Sequence, residues 1–302
     1  LKIFHRIKDS KNQRIKESKN QRRAENTDPM FQQRTQQSSL SGFLAFCEVV
    51  FHAVVRSIRA KHNNALIALA LNIMQAVMFV AAFYVMFAVL GMRGSAIRGD
   101  FLLYVMSGIF LFMVHTKTVS AVAGAEGPSS PMMQHAPMNT MVAILSAAIG
   151  ALYVQVLSLL LILFVYHVAF TPVEIEQPIA AFGMVLLSWI GGVSVGLIFL
   201  VLKPWAPSMV SILTMIYQRA NMIASGKMFL ANTLPSFMLA MFDWNPLFHC
   251  IDQSRGFVFI NYNPHFSSWQ YAGWVALVLL MIGLMGEFYT RHRVSISWGA
   301  RR

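Results

Sequence analysis

The alternation of long apolar stretches with short polar segments is the dominant pattern along this chain of 302 residues. Six of the apolar stretches contain almost no acidic residue. A hydrocarbon core about 30 Å thick requires roughly 20 helical residues, and a helix satisfies its own backbone hydrogen bonds there. The pattern therefore predicts an all-α integral membrane protein with six transmembrane helices. The predicted spans are residues 65–90, 101–124, 138–166, 179–202, 208–225 and 269–289.

The charge distribution orients these spans. Only 12% of the residues are charged, against about 25% in an ordinary soluble domain. Of the 24 Lys and Arg residues, 13 precede Asn63, and this excess predicts that both termini are cytoplasmic. In that topology 18 Lys and Arg residues lie on the inner side and four on the outer side. This arrangement accounts for the net charge of +12 without nucleic acid as a partner.

An amphipathic helix is predicted ahead of the first span. Between residues 40 and 61, apolar positions recur with helical spacing among charged ones, a pattern typical of a helix that lies in the membrane interface. Arg56, Arg59 and Lys61 form its basic end. We expect this interface helix to contact the cytoplasmic surface of the membrane.

The N-terminal region differs from the rest of the chain. The sequence IKDSKNQR at residues 7–14 recurs as IKESKNQR at residues 15–22, and so few apolar residues cannot bury a core. We expect residues 1–39 to be a disordered basic extension and residues 40–302 to form one transmembrane domain. One hypothesis is that residues 1–29 come from upstream translation and have no function; the alternative is a basic tail that binds anionic lipid.

The region between the fifth and sixth spans is apolar but interrupted by Pro235 and by charged residues. We therefore expect re-entrant or interfacial helices on the outer side instead of a free-standing span. Asn245 followed by Pro246 is typical of a helix start, with Asn245 as the cap. In that helix Asp252 and Arg255 lie three residues apart, within pairing distance. The two side chains either satisfy each other or form an extracellular gate.

Few residues are placed for chemistry, and we identify no catalytic residue and no metal ligand. An ion-driven transporter has titratable side chains near the middle of its spans, whereas here His115 is the only histidine well within a span. No phosphate-binding GxxxxGK[ST] motif occurs, so energy for uphill transport would come from a partner subunit. Arg219 lies inside the fifth span beside Tyr217. We expect Arg219 to contact an anionic or hydroxyl-rich substrate, to reach the outer interface, or to pair across a dimer.

Several segments of residues 55–293, taken in order, resemble the membrane subunit of ABC polysaccharide exporters, the permease of capsule and O-antigen export. The strongest of these segments is Trp244-Asn-Pro-Leu-Phe-His249. The others are Arg56-Ser-Ile-Arg59, Phe101-Leu-Leu, Gly191-Gly-Val-Ser-Val-Gly-Leu-Ile-Phe199, Ser254-Arg255 and Asn261-Tyr262. The order and spacing of the segments carry the resemblance.

The resemblance implies a homodimer of six-span subunits joined at the inner face to two ABC ATP-binding subunits. The ATP-binding subunits would bind ATP and Mg, and this chain would bind no cofactor. The loop at residues 126–139 would form the coupling helix on the ATPase. The residues matched to that contact are Pro131, Met132, Met133, Gln134, His135 and Pro137. The residues of the substrate path or its gate would be Tyr217, Arg219, Asn245, Asp252 and Arg255.

The predicted function is that of the transmembrane subunit of an ATP-driven exporter that moves a lipid-linked polysaccharide across the bacterial inner membrane. A periplasmic or outer-membrane partner would extend the route. An alternative is the export of a small lipid or drug, which predicts a closed pocket instead of a continuous channel. A membrane-bound transferase would need clustered carboxylates or metal ligands, for which Glu174 and Glu176 are the nearest candidates. A non-transporting scaffold would not need Arg219 inside a span.

Overall fold

The computed structural model describes residues 39–61, 65–89, 100–127 and 140–299. The chain divides into two compact units, residues 1–47 and residues 48–302, and of the first only the opening of one helix is described. The helices in the described residues are α1 (Ser39–Lys61), α2 (Ala65–Val89), α3 (Phe101–Ala123), α4 (Thr140–Ala169), α5 (Pro178–Leu202), α6 (Pro207–Ala224), α7 (Ser236–Phe242), α8 (Pro246–Val258) and α9 (Trp269–Gly299). A 3₁₀-helix at Ala231–Thr233 lies between α6 and α7.

Five helices in the described part of the chain are long and apolar enough to cross a membrane. These segments are Leu69–Met86 in α2, Phe101–Ala123 in α3, Thr140–Ala169 in α4, Pro178–Leu202 in α5 and Trp269–Arg291 in α9. They coincide with five of the six predicted spans, so the described chain is an all-helical, multi-pass membrane protein. The remaining predicted span is present as the helix α6. Its polar residues lower its mean hydropathy below that of the other five, and its crossing of the membrane stays a prediction.

Helix α3 lies at the centre of the bundle, and most of its side chains are buried. It packs most extensively against α5, and glycines on α5 allow the two backbones to approach closely. A Cβ atom on Gly192 would lie 2.7 Å from the His115 carbonyl oxygen. One on Gly196 would lie 2.9 Å from the Val122 side chain. Any larger residue at these two positions would push α5 away from α3.

Polar side chains tie the outer helices of the bundle together. Asn72 of α2 donates a 2.8 Å hydrogen bond to Ser158 of α4 and accepts one of 2.8 Å from Gln155. Ser194 of α5 donates to the Ala276 carbonyl of α9 at 2.9 Å. All four of these side chains are buried, and away from water such interhelical hydrogen bonds hold helices in register.

Candidate functional site

A polar seam joins α6 to α3. Nε2 of the His115 ring lies 2.8 Å from the Tyr217 hydroxyl oxygen, and Nδ1 of the same ring lies 3.0 Å from the Ser188 carbonyl oxygen. Because a carbonyl can only accept, Nδ1 of the neutral ring donates to Ser188, and Nε2 accepts from Tyr217. Gln218 adds a 2.8 Å bond to Ser120 of α3. The side of α6 that faces α3 is therefore held to the bundle by hydrogen bonds.

The opposite side of α6 is exposed. Arg219 lies there, and in the described part of the chain its guanidinium forms neither an ion pair nor a hydrogen bond. The exposed apolar residues of this helix are Met209, Ile212, Leu213, Met215, Ile216 and Ile223. A guanidinium at membrane depth faces a watery cavity or another protein. Tyr217 and Arg219 were both predicted to line the substrate path. In the structure the Tyr217 hydroxyl is hydrogen-bonded to His115 inside the bundle, whereas the Arg219 side chain is accessible.

The segment that joins α6 to α9, residues 225–268, is called here the connecting segment. Its helix α8 starts as predicted, with Pro246 in the first turn and the Asn245 side chain accepting a 3.0 Å hydrogen bond from the Leu247 backbone N–H. The Asn245 amide also donates to Asn221 at 2.9 Å and to the Ala224 carbonyl at 3.0 Å. Asn245 therefore anchors α8 to the end of α6.

Arg255 is completely buried and organises a turn at the start of the connecting segment. Its Nη1 donates to the carbonyls of Gly226 at 2.9 Å and Phe229 at 2.6 Å, and its Nη2 donates to that of Lys227 at 2.7 Å. The guanidinium carbon lies 4.3 Å from the centre of the Tyr104 ring of α3. Gly226 has a φ of 73°, which favours glycine, and this conformation aims the carbonyls at one cation.

Asp252 has different partners, so the predicted Asp252–Arg255 pairing is wrong for the described side chains. Its carboxylate accepts hydrogen bonds from Tyr262 at 2.5 Å and Ser267 at 2.7 Å, and from the Ala231 backbone at 3.4 Å. Burial and the Asp252 carboxylate raise the pKa of the Tyr262 hydroxyl, which therefore remains a donor. Spacing along α8 brought the two charged groups close, but the folded turns on either side supply better-placed partners.

Lys227 is also buried, with its ammonium group packed among phenylalanine rings. Its Nζ atom lies 3.5 Å from the ring centre of Phe112, 5.0 Å from that of Phe83 and 5.6 Å from that of Phe79. In the described part of the chain Nζ has no hydrogen-bond partner. Cation–π attraction to the ring faces partly offsets its desolvation. Lys227 is one of the four basic residues that the predicted topology assigns to the outer side, and the structure packs its ammonium group against α2 and α3.

His249, whose role the sequence did not indicate, holds the connecting segment in place. His249 contacts the Asp243 carbonyl through Nε2 at 2.5 Å and accepts from the Ser268 backbone N–H through Nδ1 at 3.0 Å. This link joins α8 to the start of α9. In the sequence, His249 is the last residue of the segment Trp244-Asn-Pro-Leu-Phe-His249, which carried the family resemblance. That segment did not indicate which groups the histidine would contact.

The predicted ATPase contact lies outside the described residues. Its members are Pro131, Met132, Met133, Gln134, His135 and Pro137. Of the predicted interface helix, α1 is present and Arg56 is exposed, while Arg59 and Lys61 belong to its last turn. Glu174 and Glu176 are exposed, and among the described residues no cluster of His, Cys, Asp or Glu could hold a metal ion.

No protein-family model matches the chain. The chain is similar to the polysialic acid transport protein KpsM of Escherichia coli, with 25% identity over 189 residues. The matched region covers 61% of this chain and 71% of the relative. The resemblance to the permeases of ABC polysaccharide exporters, first recognised in short segments on either side of α6, is thereby confirmed.

Proposed function

We propose that this chain is the transmembrane subunit of an ATP-driven exporter that moves cell-surface polysaccharide, carried as a lipid-linked glycan, across the inner membrane. The observation that supports this function best is the similarity to a polysialic acid transport protein, together with five apolar helices long enough to span a bilayer. In this proposal the chain has no catalytic site and binds no cofactor, and ATP and Mg bind to a separate subunit.

The proposed topology has six spans, with α6 as the fifth and both termini in the cytoplasm. Helix α6 has 18 residues, which at 1.5 Å per residue is close to the thickness of the hydrocarbon core. The connecting segment would then form the re-entrant helices on the periplasmic side. Its buried charges and many internal hydrogen bonds fit a segment that enters the membrane without spanning it.

The proposed translocation path lies between two copies of the chain. The exposed side of α6 has Arg219 among methionine and isoleucine side chains, and a second copy would turn it into the wall of a channel. A sugar polymer could slide along such a wall by exchanging weak contacts, and Arg219 could hydrogen-bond its hydroxyl or anionic groups. Asn245, Asp252 and Arg255 would support this wall from behind without contacting the polymer.

The proposed coupling to ATP uses the loop at residues 126–139 and the interface helix α1. When the ATP-binding subunits close, the loop would carry the movement into α3, which ends just before it, and into α4, which begins just after it. Because α6 is hydrogen-bonded to α3 through Tyr217 and His115, a shift of α3 would move the exposed side of α6.

The proposal is tested by purifying the tagged full-length chain in mild detergent, identifying co-purified proteins by mass spectrometry and measuring ATP hydrolysis. We expect a nucleotide-binding subunit to co-purify with ATPase activity. Replacing Met132 and Met133 with Asp should abolish both, because charge would be buried in the contact. The matched control replaces the exposed Glu174 and Glu176 with Gln and should change neither. Pure protein without ATPase activity, under conditions that preserve known ABC complexes, would refute the proposal.

A further inference from the structure

An apolar cavity of about 910 Å³ lies between α2, α3 and α4. Its lining is mostly aliphatic, with Val77 contributed by α2 and Leu161 and Val165 by α4. Val77 and Val165 are each 49% exposed and Leu161 is 39% exposed, so the cavity opens to the outside of the bundle. Its volume lies within the range of about 300–1,000 Å³ that is typical of small-molecule sites.

One end of the cavity is polar. Asp100 caps α3, because its carboxylate accepts a 2.9 Å hydrogen bond from the Leu102 backbone N–H. The same carboxylate accepts hydrogen bonds from the hydroxyl of Tyr166 and, at 2.7 Å, from that of Thr171. Asp100, Tyr166 and Thr171 all line the cavity. Since Asp100 is only partly buried, a ligand in the cavity can reach its carboxylate.

The Asp100 carboxylate is charged at neutral pH. Burial raises the pKa of this carboxyl, but hydrogen bonds from Tyr166, Thr171 and the backbone at Leu102 lower it, and the pKa lies below its usual value. These donors are neutral, and no basic side chain in the described part of the chain forms an ion pair with Asp100. Among the described residues, the polar end of the cavity therefore presents one negative charge that is held by neutral donors alone.

Aromatic rings surround this polar end. The Tyr84 ring lies 6.1 Å from that of Phe101, and the Phe170 ring stacks on that of Tyr166 at 5.5 Å. All four rings line the cavity, and two of the candidate spans end at this level. Tyrosines such as Tyr84 and Tyr166 are enriched where lipid head groups meet the hydrocarbon core. The apolar body of the cavity thus lies at acyl-chain depth and the carboxylate lies at head-group depth.

We propose that the cavity is a phospholipid site that takes an acyl chain and places the ammonium of the head group against the Asp100 carboxylate. Phosphatidylethanolamine has that ammonium, whereas phosphatidylglycerol has a net negative charge that Asp100 repels. The site is therefore selective for the amine lipid. This inference goes beyond the proposed export function and holds whichever substrate the protein carries.

The test is native mass spectrometry of the full-length chain, released from membranes that contain equal amounts of phosphatidylethanolamine and phosphatidylglycerol and stripped of loosely held lipid. We expect the wild type to retain the amine lipid in roughly tenfold excess, the factor that one charge-assisted hydrogen bond provides. Asp100→Asn should retain lipid without preference, and Asp100→Glu should keep the preference. Ala81→Trp, which fills the cavity from α2, should lower the retention of both lipids.

Met78→Trp is the matched control, because Met78 is exposed on α2 but does not line the cavity. It should leave both retention and preference unchanged. Equal retention of the two lipids by the wild type, or an amine preference that persists in Asp100→Asn while Asp100→Asn keeps the wild-type melting temperature, would overturn the proposal. An Ala81→Trp protein that keeps its lipid but loses self-association would assign the cavity to a second copy of the chain instead.

Discussion

Helix α6 and the connecting segment are neighbours in sequence, yet the environments of three charged side chains are opposite: Asp252 and Arg255 are buried in the connecting segment, and Arg219 is exposed on α6. In the connecting segment Arg255 and Asp252 are buried and hydrogen-bonded to several partners each. On α6 the guanidinium of Arg219 is exposed and, within the described residues, bonded to nothing. A buried charge held by several hydrogen bonds is costly to disrupt, whereas an accessible one is available to a ligand or partner.

This difference divides the five residues of the predicted substrate path or gate into two groups: those that support the fold and the one that is accessible to a substrate. Asn245, Asp252 and Arg255 hold the connecting segment in shape, and Tyr217 holds α6 to α3. Arg219 alone among the five is exposed. Substitutions should therefore affect stability strongly in the connecting segment and weakly at Arg219, with the opposite order for export.

The largest loss of stability is expected for Arg255→Met. This change leaves three backbone carbonyls without their donor at a buried turn, which costs about 3 kcal/mol or more. The apparent melting temperature in detergent, and the yield after size-exclusion chromatography, should both fall sharply. Arg219→Met removes a guanidinium from the same protein and serves as the control. Equal losses for the two variants would erase the distinction between the regions.

A smaller effect is expected for Gly108→Ala on α3. The added Cβ would lie 2.8 Å from Nη2 of Arg255 and 3.0 Å from the Lys227 backbone, so the connecting segment would have to move. Overpacking of this kind costs about 1–3 kcal/mol, measured as a lower melting temperature.

Gly183→Ala on α5 is the matched control, because its Cβ would meet nothing within 4 Å. A helix-interior alanine is intrinsically better than glycine by up to about 1 kcal/mol, so Gly183→Ala should be neutral or stabilising. If Gly108→Ala were also stabilising, α3 would not be the tight support of the connecting segment.

An effect of about 1 kcal/mol is expected for Tyr217→Phe, which deletes the hydroxyl that donates a hydrogen bond to Nε2 of His115. Hydrogen exchange of α6 backbone amides should accelerate, while exchange in α8 should not change. Tyr153→Phe, an exposed tyrosine on α4, is the control and should leave both unchanged. Faster exchange in α8 as well would mean that α6 and the connecting segment open as one unit.

The smallest effect on stability is expected for Arg219→Leu, within about 0.5 kcal/mol of the wild type. Export of polysaccharide, measured as polymer displayed at the cell surface, should nevertheless fall several-fold if Arg219 contacts the polymer. Met215→Leu, one helical turn away and also exposed, should change neither quantity. Normal export by Arg219→Leu would remove Arg219 from the proposed path and leave the comparison of stabilities intact.

The helices were predictable because length and apolar character suffice to define a span. All six predicted spans are helices, and the cap at Asn245 has the predicted geometry, since both features depend on neighbouring residues alone. The contacts of the candidate site were not predictable in this way. His115 and Tyr217 are 102 residues apart, and no spacing rule brings them together.

The pairing of Asp252 and Arg255 failed for a related reason. Their spacing on α8 was judged correctly, but the deciding partner of Arg255 is a turn whose shape depends on the positive φ of Gly226. Sequence indicates that a glycine can adopt such a conformation, not that it does. The exposure of Arg219 likewise follows from which side of α6 packs on α3, a choice made by the tertiary structure.

The local character of the Arg255 and Asp252 contacts has a consequence for the order of synthesis. Their hydrogen bonds span between 10 and 29 residues of chain, all inside the connecting segment. The α3 surface beneath them is translated much earlier. The connecting segment can therefore form these contacts and close on α3 without any hydrogen bond from α9. The last helix then packs beside a turn whose hydrogen bonds require none of its own residues.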